Sequence, residues 1–190
     1  DTLDLGEEAA ALGGFLNRDR IFLDGACYDL RTHRQEWSLA EGQTEEDSFM
    51  PCHLRGGRLA LCYNIRSAGG ERRRHLATFL PDGSEQVTRE LPGDCREHGI
   101  LAYGDGLLLD LGRELVCYDA FLTERWRVEL RKNFFYDEMQ LDEVSEILYL
   151  YDYGRVISFD LKRRQVRAER QLAAGERCFL HGVLPGVGAV

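Results

Sequence analysis

The sequence predicts an all-β, β-propeller-like fold of about four four-stranded antiparallel blades. Three observations predict it. Short segments alternate apolar and polar residues, Gly and Asp-Gly turns separate them, and one phrase is written twice. That phrase is "ACYDLRTHRQEW" at 26–37 and "VCYDAFLTERW" at 116–126.

The strand-like runs are 20–30, 57–65, 74–84, 99–111, 113–121 and 145–161, all rich in Leu, Ile, Val, Tyr and Phe. A further strand precedes each pair, at 11–16, 48–54, 97–102 and 134–141. The chain thus reads as one domain over 1–190, with units of about 11–40, 47–91, 95–130 and 134–172. Residues 177–190 start a further unit or supply a closing strand. Asp119 to Asp160 is about one blade-length, in the range of propeller repeats. Helical composition is confined to "LGEEAAALGGFL" (5–16), where paired glycines oppose it; 136–144 reads as extended. The second unit is the most divergent, with "IRSAGGER" (65–72) read as an insertion. Four units either close on themselves or belong to a larger propeller, since an open array leaves bare strand edges.

The repeated phrase has a structural reading. Its Asp ends the third strand of a unit, where the carboxylate accepts backbone N–H groups of a tight turn. The aromatic residue before it fills a layer between blades. The Trp, on the fourth strand, offers apolar area to the next blade and needs a partner for its N–H. Cys27, Cys62 and Cys117 lie in apolar runs and read as packed small residues. The six cysteines are expected as buried thiols in a reducing compartment, because a chain this large and apolar has no need of disulfide staples.

On these residues the chain resembles the quinoprotein-type propeller repeat, and more broadly WD-type propellers. The repeat's pattern A-x-D-x-x-T-G-x-x-x-W is matched by Cys27 at the Ala, Asp29, Thr32, His33 at the Gly, and Trp37. Cys117, Asp119, Thr123 and Trp126 match it with one turn residue deleted. In the fourth unit Asp160 matches, Arg163 replaces the Thr and Ala168 falls at the Trp. The second unit keeps only a "PDGS" turn. The resemblance implies the blade skeleton; the family's quinone-binding residues have no counterpart here, so no cofactor is expected.

The net charge of −9 disfavours nucleic acid, which demands positive charge, and an anionic membrane surface. No apolar run reaches the roughly 20 residues that span a membrane. The only lysines are Lys132 and Lys162, an Arg bias that reads as GC-rich coding. The expected compartment is the cytoplasm, and a start at Asp1 without Met leaves a removed signal peptide open.

No catalytic or metal residues are assigned. Cys52 and His53 with Cys95 and His98 have loose zinc-like spacing but read as core and loop residues. Cys178 and His181 read as alternating strand residues, and no nucleophile elbow is present. The carboxylates Asp137, Glu138, Asp142, Glu143 and Glu146 lack EF-hand spacing and read as a solvated loop.

Two anomalies remain. "ERRRH" (71–75) is a basic hairpin tip in an acidic chain, and "NFFYDE" (133–138) is an aromatic connection between units. With the turn "YDYG" (151–154) they are expected to share one loop-bearing face. The expected partner-binding residues are therefore Arg72, Arg73, Arg74, Phe135, Tyr136, Asp137, Tyr151 and Tyr153, and the expected partner is another protein. The expected function is a non-enzymatic interaction module. The alternative is an enzyme or ligand-binding propeller with its site, for a small molecule or metal, in a central channel.

Overall fold

The structure is a computed structural model that describes residues 13–23, 25–39, 51–66, 70–92, 99–111, 113–130, 138–152, 154–173, 183–184 and 188–189. Among these residues the fold is a propeller-like set of four four-stranded antiparallel sheets and one two-stranded sheet. No α-helix occurs among them; the sole helical turn is the 3₁₀ turn Arg55–Gly57.

The first sheet runs in chain order through β1 (Gly13–Phe15), β2 (Arg20–Leu23), β3 (Ala26–Asp29) and β4 (Arg34–Ser38). The second holds β5 (Cys52–His53), β6 (Leu59–Arg66), β7 (Arg72–Phe79) and β8 (Val87–Glu90). The third holds β9 (Gly99–Tyr103), β10 (Gly106–Asp110), β11 (Glu114–Asp119) and β12 (Glu124–Glu129). The fourth holds β13 (Glu138–Asp142), β14 (Ile147–Asp152), β15 (Arg155–Asp160) and β16 (Gln165–Gln171). The hairpin β17 (Val183–Leu184) and β18 (Gly188–Ala189) lies beside β13.

Within each blade the middle strands carry the apolar residues and the fourth strand the polar ones. β10 is buried along its whole length, whereas β16, "QVRAERQ", is exposed along its whole length. A sheet face covered on both sides selects continuous Leu and Val; an outer edge selects charge, which also blunts edge-to-edge pairing.

By its contacts the chain divides into two compact units. One comprises Asp1–Cys95, Asp105–Leu107 and Tyr118–Thr123; the other comprises Arg96–Gly104, Leu108–Cys117 and Glu124–Val190. The core of the first is built on Phe22, Cys27, Leu59, Leu61 and Phe79, with Trp37 packed against it. Trp37 meets Phe79 edge-on at 5.2 Å between centroids and Phe22 at 5.8 Å, and such aromatic pairs contribute about 0.5–1.5 kcal/mol beyond their area. The core of the second is built on Leu108, Leu115, Cys117, Leu148, Leu150, Ile157 and Phe159.

The strand expected within 11–16 is present as Gly13–Phe15, which pairs with Ile21–Leu23; residues 1–12 lie outside the described residues. Two other expectations are corrected. The segment read as an insertion, 65–72, begins and ends in strand: Ile65 and Arg66 end β6 and pair with Arg73 and with Arg72, the first residue of β7, while residues 67–69 lie outside the described residues. Tyr151 is not in a turn. It pairs with Val156 within β14–β15 and is only 8% exposed, because the hairpin runs on to Asp152.

Gly106 shows how tightly the middle strands approach. A Cβ there would stand 2.0 Å from the Tyr118 carbonyl oxygen and 2.8 Å from the Asp119 Cα, both backbone atoms that cannot step aside. Gly106→Ala should therefore cost at least the ~1–3 kcal/mol of an overpacked core. A lowered denaturant midpoint would show it; an unchanged midpoint would mean that the strand shifts freely.

Candidate functional site

The repeated phrase was the obvious candidate for chemistry, and its geometry shows what its Asp does. Asp29 Oδ1 accepts the backbone N–H groups of Arg31 (2.9 Å) and Thr32 (2.6 Å) and the Thr32 hydroxyl (3.0 Å). Asp119 Oδ1 accepts the N–H groups of Phe121 and Thr123, both at 2.9 Å. Asp160 Oδ1 accepts the N–H of Arg163 at 2.8 Å, and its Oδ2 takes the Arg163 guanidinium at 3.1 Å in place of a Thr hydroxyl. In the second blade Asp82 accepts the Ser84 N–H and hydroxyl.

Every one of these turns also holds a residue with positive φ: His33 (+56°), Gly83 (+81°) with Glu85 (+51°), Leu122 (+60°) and Arg164 (+55°). His33 occupies the Gly place of the repeat because the turn imposes that conformation, which costs a non-Gly residue on the order of 1 kcal/mol.

These bonds perturb Asp29, Asp82 and Asp160. The Thr32 N–H and hydroxyl hold Asp29 below the usual carboxylate range. The Ser84 hydroxyl and N–H do the same for Asp82, and the Arg163 N–H does it for Asp160. Donors aimed at the charged form stabilise it. A general base needs the opposite, a proton affinity raised toward neutrality. The Asp of the phrase is a turn-former.

The thiol of the phrase is equally unsuited to chemistry. Cys27 is fully buried, and burial, then the Glu36 carboxylate, push its pKa up to about 11. Glu36 is itself held by Arg20 at 2.5 Å. Cys62 and Cys117 are also buried. Trp37 departs from expectation: its Nε1 is buried with no hydrogen-bond partner among the described residues, and its ring packs against Phe22 and Phe79.

In the second unit the phenol of Tyr103 donates to Glu146 Oε1 (3.0 Å), and Lys162 Nζ pairs with Glu146 Oε2 (2.6 Å). Burial and then the Glu146 contact push Tyr103 up to about 12, and the Lys162 contact holds Glu146 low. This chain of contacts ties β9 to two turns of the fourth blade. A cleft of ≈ 440 Å³ in the same unit has Leu150, Ile157 and Phe159 on its floor and Glu129, Arg164 and Glu169 around it.

Among the described residues no group of three or more His, Cys, Asp or Glu is placed to hold a metal ion. Cys52 and His53 form β5, Asp142 is buried in its own turn, and Cys95, His98, Asp137, Cys178 and His181 lie outside the described residues.

The expected partner-binding residues are distributed as follows. Arg72, Arg73 and Arg74 are consecutive residues of strand β7. Arg73 is exposed and pairs with Glu71 (3.2 Å) and Glu90 (3.6 Å); the half-buried Arg74 donates from Nε to Asn64 Oδ1 at 3.3 Å. Tyr151 is buried in its sheet, while Phe135, Tyr136, Asp137 and Tyr153 lie outside the described residues.

The sequence reading passed over a cluster in the first unit. Phe121, in the Asp119–Thr123 turn, is 57% exposed, and the guanidinium of Arg58 lies over its ring at 4.8 Å. Arg58, only 6% exposed, donates to Glu85 Oε2 (2.7 Å) and to the Glu85 carbonyl (2.5 Å). The available signal was an apolar Phe inside a turn whose counterpart in the first blade is Arg31.

No family model and no curated protein matches the chain. Solved structures do. A protein of unknown function from Bacteroides caccae matches with a TM-score of 0.55 at 9% identity, over 88% of this chain and 62% of that one. The dihydro-heme d1 dehydrogenase NirN, in complex with DHE, matches with a TM-score of 0.60 at 11% identity, over 87% and 38%. The Pan2 WD40 domain of Neurospora crassa matches with a TM-score of 0.54 at 12% identity, over 85% and 52%. The chain spans between 38% and 62% of the length of these structures. The likeness is one of fold, that of β-propellers.

Two outcomes are expected. Asp29, Asp82 and Asp160 have folded-state pKa values below the ordinary 3.8. Their stabilisation is therefore complete above 3.8 and is lost as pH falls through the lower folded values. In Asp29→Asn/Asp82→Asn/Asp160→Asn the fall in stability below about pH 4 should be shallower than in wild type; parallel acid-unfolding curves would refute this role. In native protein Cys27, Cys62 and Cys117 should resist iodoacetamide at pH 8 and react only on unfolding, as read by mass spectrometry.

Proposed function

We propose that the chain is a non-enzymatic protein-interaction module and that it docks through the β6–β7 hairpin. The supporting observation is the length of that hairpin. β6 and β7 pair over eight residues each, from Leu59↔Phe79 to Arg66↔Arg72. β5 pairs only with Leu59 and Ala60, and β8 only with His75–Thr78. Among the described residues the hairpin therefore outruns its neighbours. Its last ladder contact with the segment after β8 is the Leu91 N–H to the Arg74 carbonyl, at 2.8 Å. The pairs at the free end carry Arg72 and Arg73.

A paired strand presents consecutive side chains on alternate faces at fixed spacing, so Arg73 and Arg74 point to opposite faces without the ordering cost of a loose loop. Arg is enriched at interfaces because its planar fork binds carboxylates bidentately. The surface pairs of Arg73 with Glu71 and Glu90 are weak and salt-screened, so an acidic partner can displace them. The fold alone does not choose a function, since a dehydrogenase and a WD40 domain both share it. The finer assignment to the quinoprotein-type repeat rests on Asp29, Thr32 and Trp37 and on Asp119, Thr123 and Trp126.

The test is quantitative capture of partners on the immobilised chain. Arg72→Glu/Arg73→Glu/Arg74→Glu should reduce recovery of acidic partners about tenfold or more, the scale of a lost interfacial charge contact. Undiminished recovery by a folded triple variant would remove the hairpin from the interface.

A further inference from the structure

We propose that the Asp119–Thr123 turn and Glu85 form a recognition site for an arginine side chain of a partner protein. Phe121 would take the guanidinium by stacking and Glu85 by ion pairing. This surface is separate from the β6–β7 hairpin and has the opposite preference, for a basic partner.

The turn is built to hold Phe121 still. Asp119 Oδ1 binds the N–H groups of Phe121 and Thr123, the Asp119 carbonyl accepts the Leu122 N–H (3.1 Å), and the Asp119 N–H reaches the Thr123 carbonyl (3.0 Å). The next blade clamps the same turn. The Thr78 hydroxyl donates to the Ala120 carbonyl (2.7 Å), and Arg89 Nη1 donates to the Leu122 carbonyl (3.3 Å) while stacking over Tyr118. Leu122 is buried beneath the turn, yet Phe121, its neighbour, is directed outward. An aromatic ring fixed in advance loses little entropy on binding, which is the property of a hot-spot anchor.

The chemistry of the ligand is set by what surrounds the ring. Arg58 already stacks over the ring, so a guanidinium is a fitting companion for it, and Phe121 stays 57% exposed beside that contact. Glu85 touches the same guanidinium, which makes it a neighbour of the ring. Its side chain is 60% exposed, with Oε2 engaged by Arg58 and Oε1 turned to no donor among the described residues. A partly exposed aromatic ring beside a carboxylate oxygen with spare lone pairs suits a planar cation. Arg fits better than Lys, because guanidinium is weakly hydrated and stacks flat, whereas ammonium is a strongly hydrated point charge. Glu85 neutralises Arg58, so the second cation meets a compensated pair, and the net charge of −9 draws it in.

The experiment is a calorimetric and NMR titration of the full chain with capped Arg-Gly-Arg tripeptide, with capped Lys-Gly-Lys as the comparison. The Arg peptide should bind about tenfold more tightly than the Lys peptide and shift the Phe121 ring and Glu85 signals. Phe121→Leu and Glu85→Gln should each lose about tenfold of that affinity, while Phe121→Tyr, which keeps the ring, should retain it. The Arg72→Glu/Arg73→Glu/Arg74→Glu variant should bind the Arg peptide at least as well as wild type, so failure at one surface is distinguishable from failure at the other. Equal affinity for the two peptides, or an unchanged affinity in folded Phe121→Leu, would overturn the proposal. Thermal melts of each variant establish folding; if Phe121→Leu melts early, the Arg-to-Lys preference of Phe121→Tyr and Glu85→Gln decides.

Discussion

The bond between an Asp carboxylate and the backbone N–H groups two to four residues ahead is the constraint on which the rest depends. Strands three and four of each blade meet at a turn with a left-handed residue, and for His33, Leu122 and Arg164 that residue has no glycine's freedom. Asp29, Asp119 and Asp160 offset the strain by satisfying the N–H groups that the turn would otherwise leave unpaired. Once the turn is set, the fourth strand returns in register and its side chains are assigned to faces. The close approach at Gly106, opposite the Tyr118–Asp119 peptide, depends on the same turn staying where it is.

From the turns follows the packing. In the first unit the returning strand lays Trp37 against Phe22 and Phe79, and its ring also lies where a Cβ on Gly83 would be, 2.6 Å away. The small Cys27 beneath it is closed off from solvent, which removes it from chemistry by making the thiolate costly. The neighbouring blades are then fastened by polar contacts at their turns: Arg58 to Glu85 and Phe121, Thr78 to Ala120, Arg89 to Leu122. Arg58 is nearly solvent-free, and a buried cation is tolerated only where acceptors and a ring face replace water.

This division of labour separates the scaffold from the surfaces available for binding. Asp29, Asp82, Asp119 and Asp160 are engaged in turns, and the thiols of Cys27, Cys62 and Cys117 are core. The surfaces proposed for recognition are the hairpin and the ring that its turn directs outward. Each is held by backbone hydrogen bonds, which limits the entropy lost on binding.

The blade repeat was legible in the sequence because its signals are local. Period-2 alternation placed β2–β3, β6–β7, β10–β11 and β14–β15 within a few residues of their ends, and Asp29, Thr32 and His33 announced their turn. Local signals failed where a hairpin ran longer than its flanking Gly suggested, as at Arg72–Arg74 and at Tyr151, since the length of a ladder is decided by the facing strand. They failed entirely for the Arg58–Glu85–Phe121 cluster, whose members lie in three different turns. Nothing near Arg58 in sequence states that its guanidinium will find a ring from the next blade. The sequence by itself thus determined the strands, the turns and the roles of Asp and Cys within them, because each depends on neighbours a few residues away. The tertiary structure alone decided which cation is buried, which aromatic is exposed and, among the described residues, which hairpin runs past its flanking strands, because burial and ladder length are properties of what the strands and blades bring against one another.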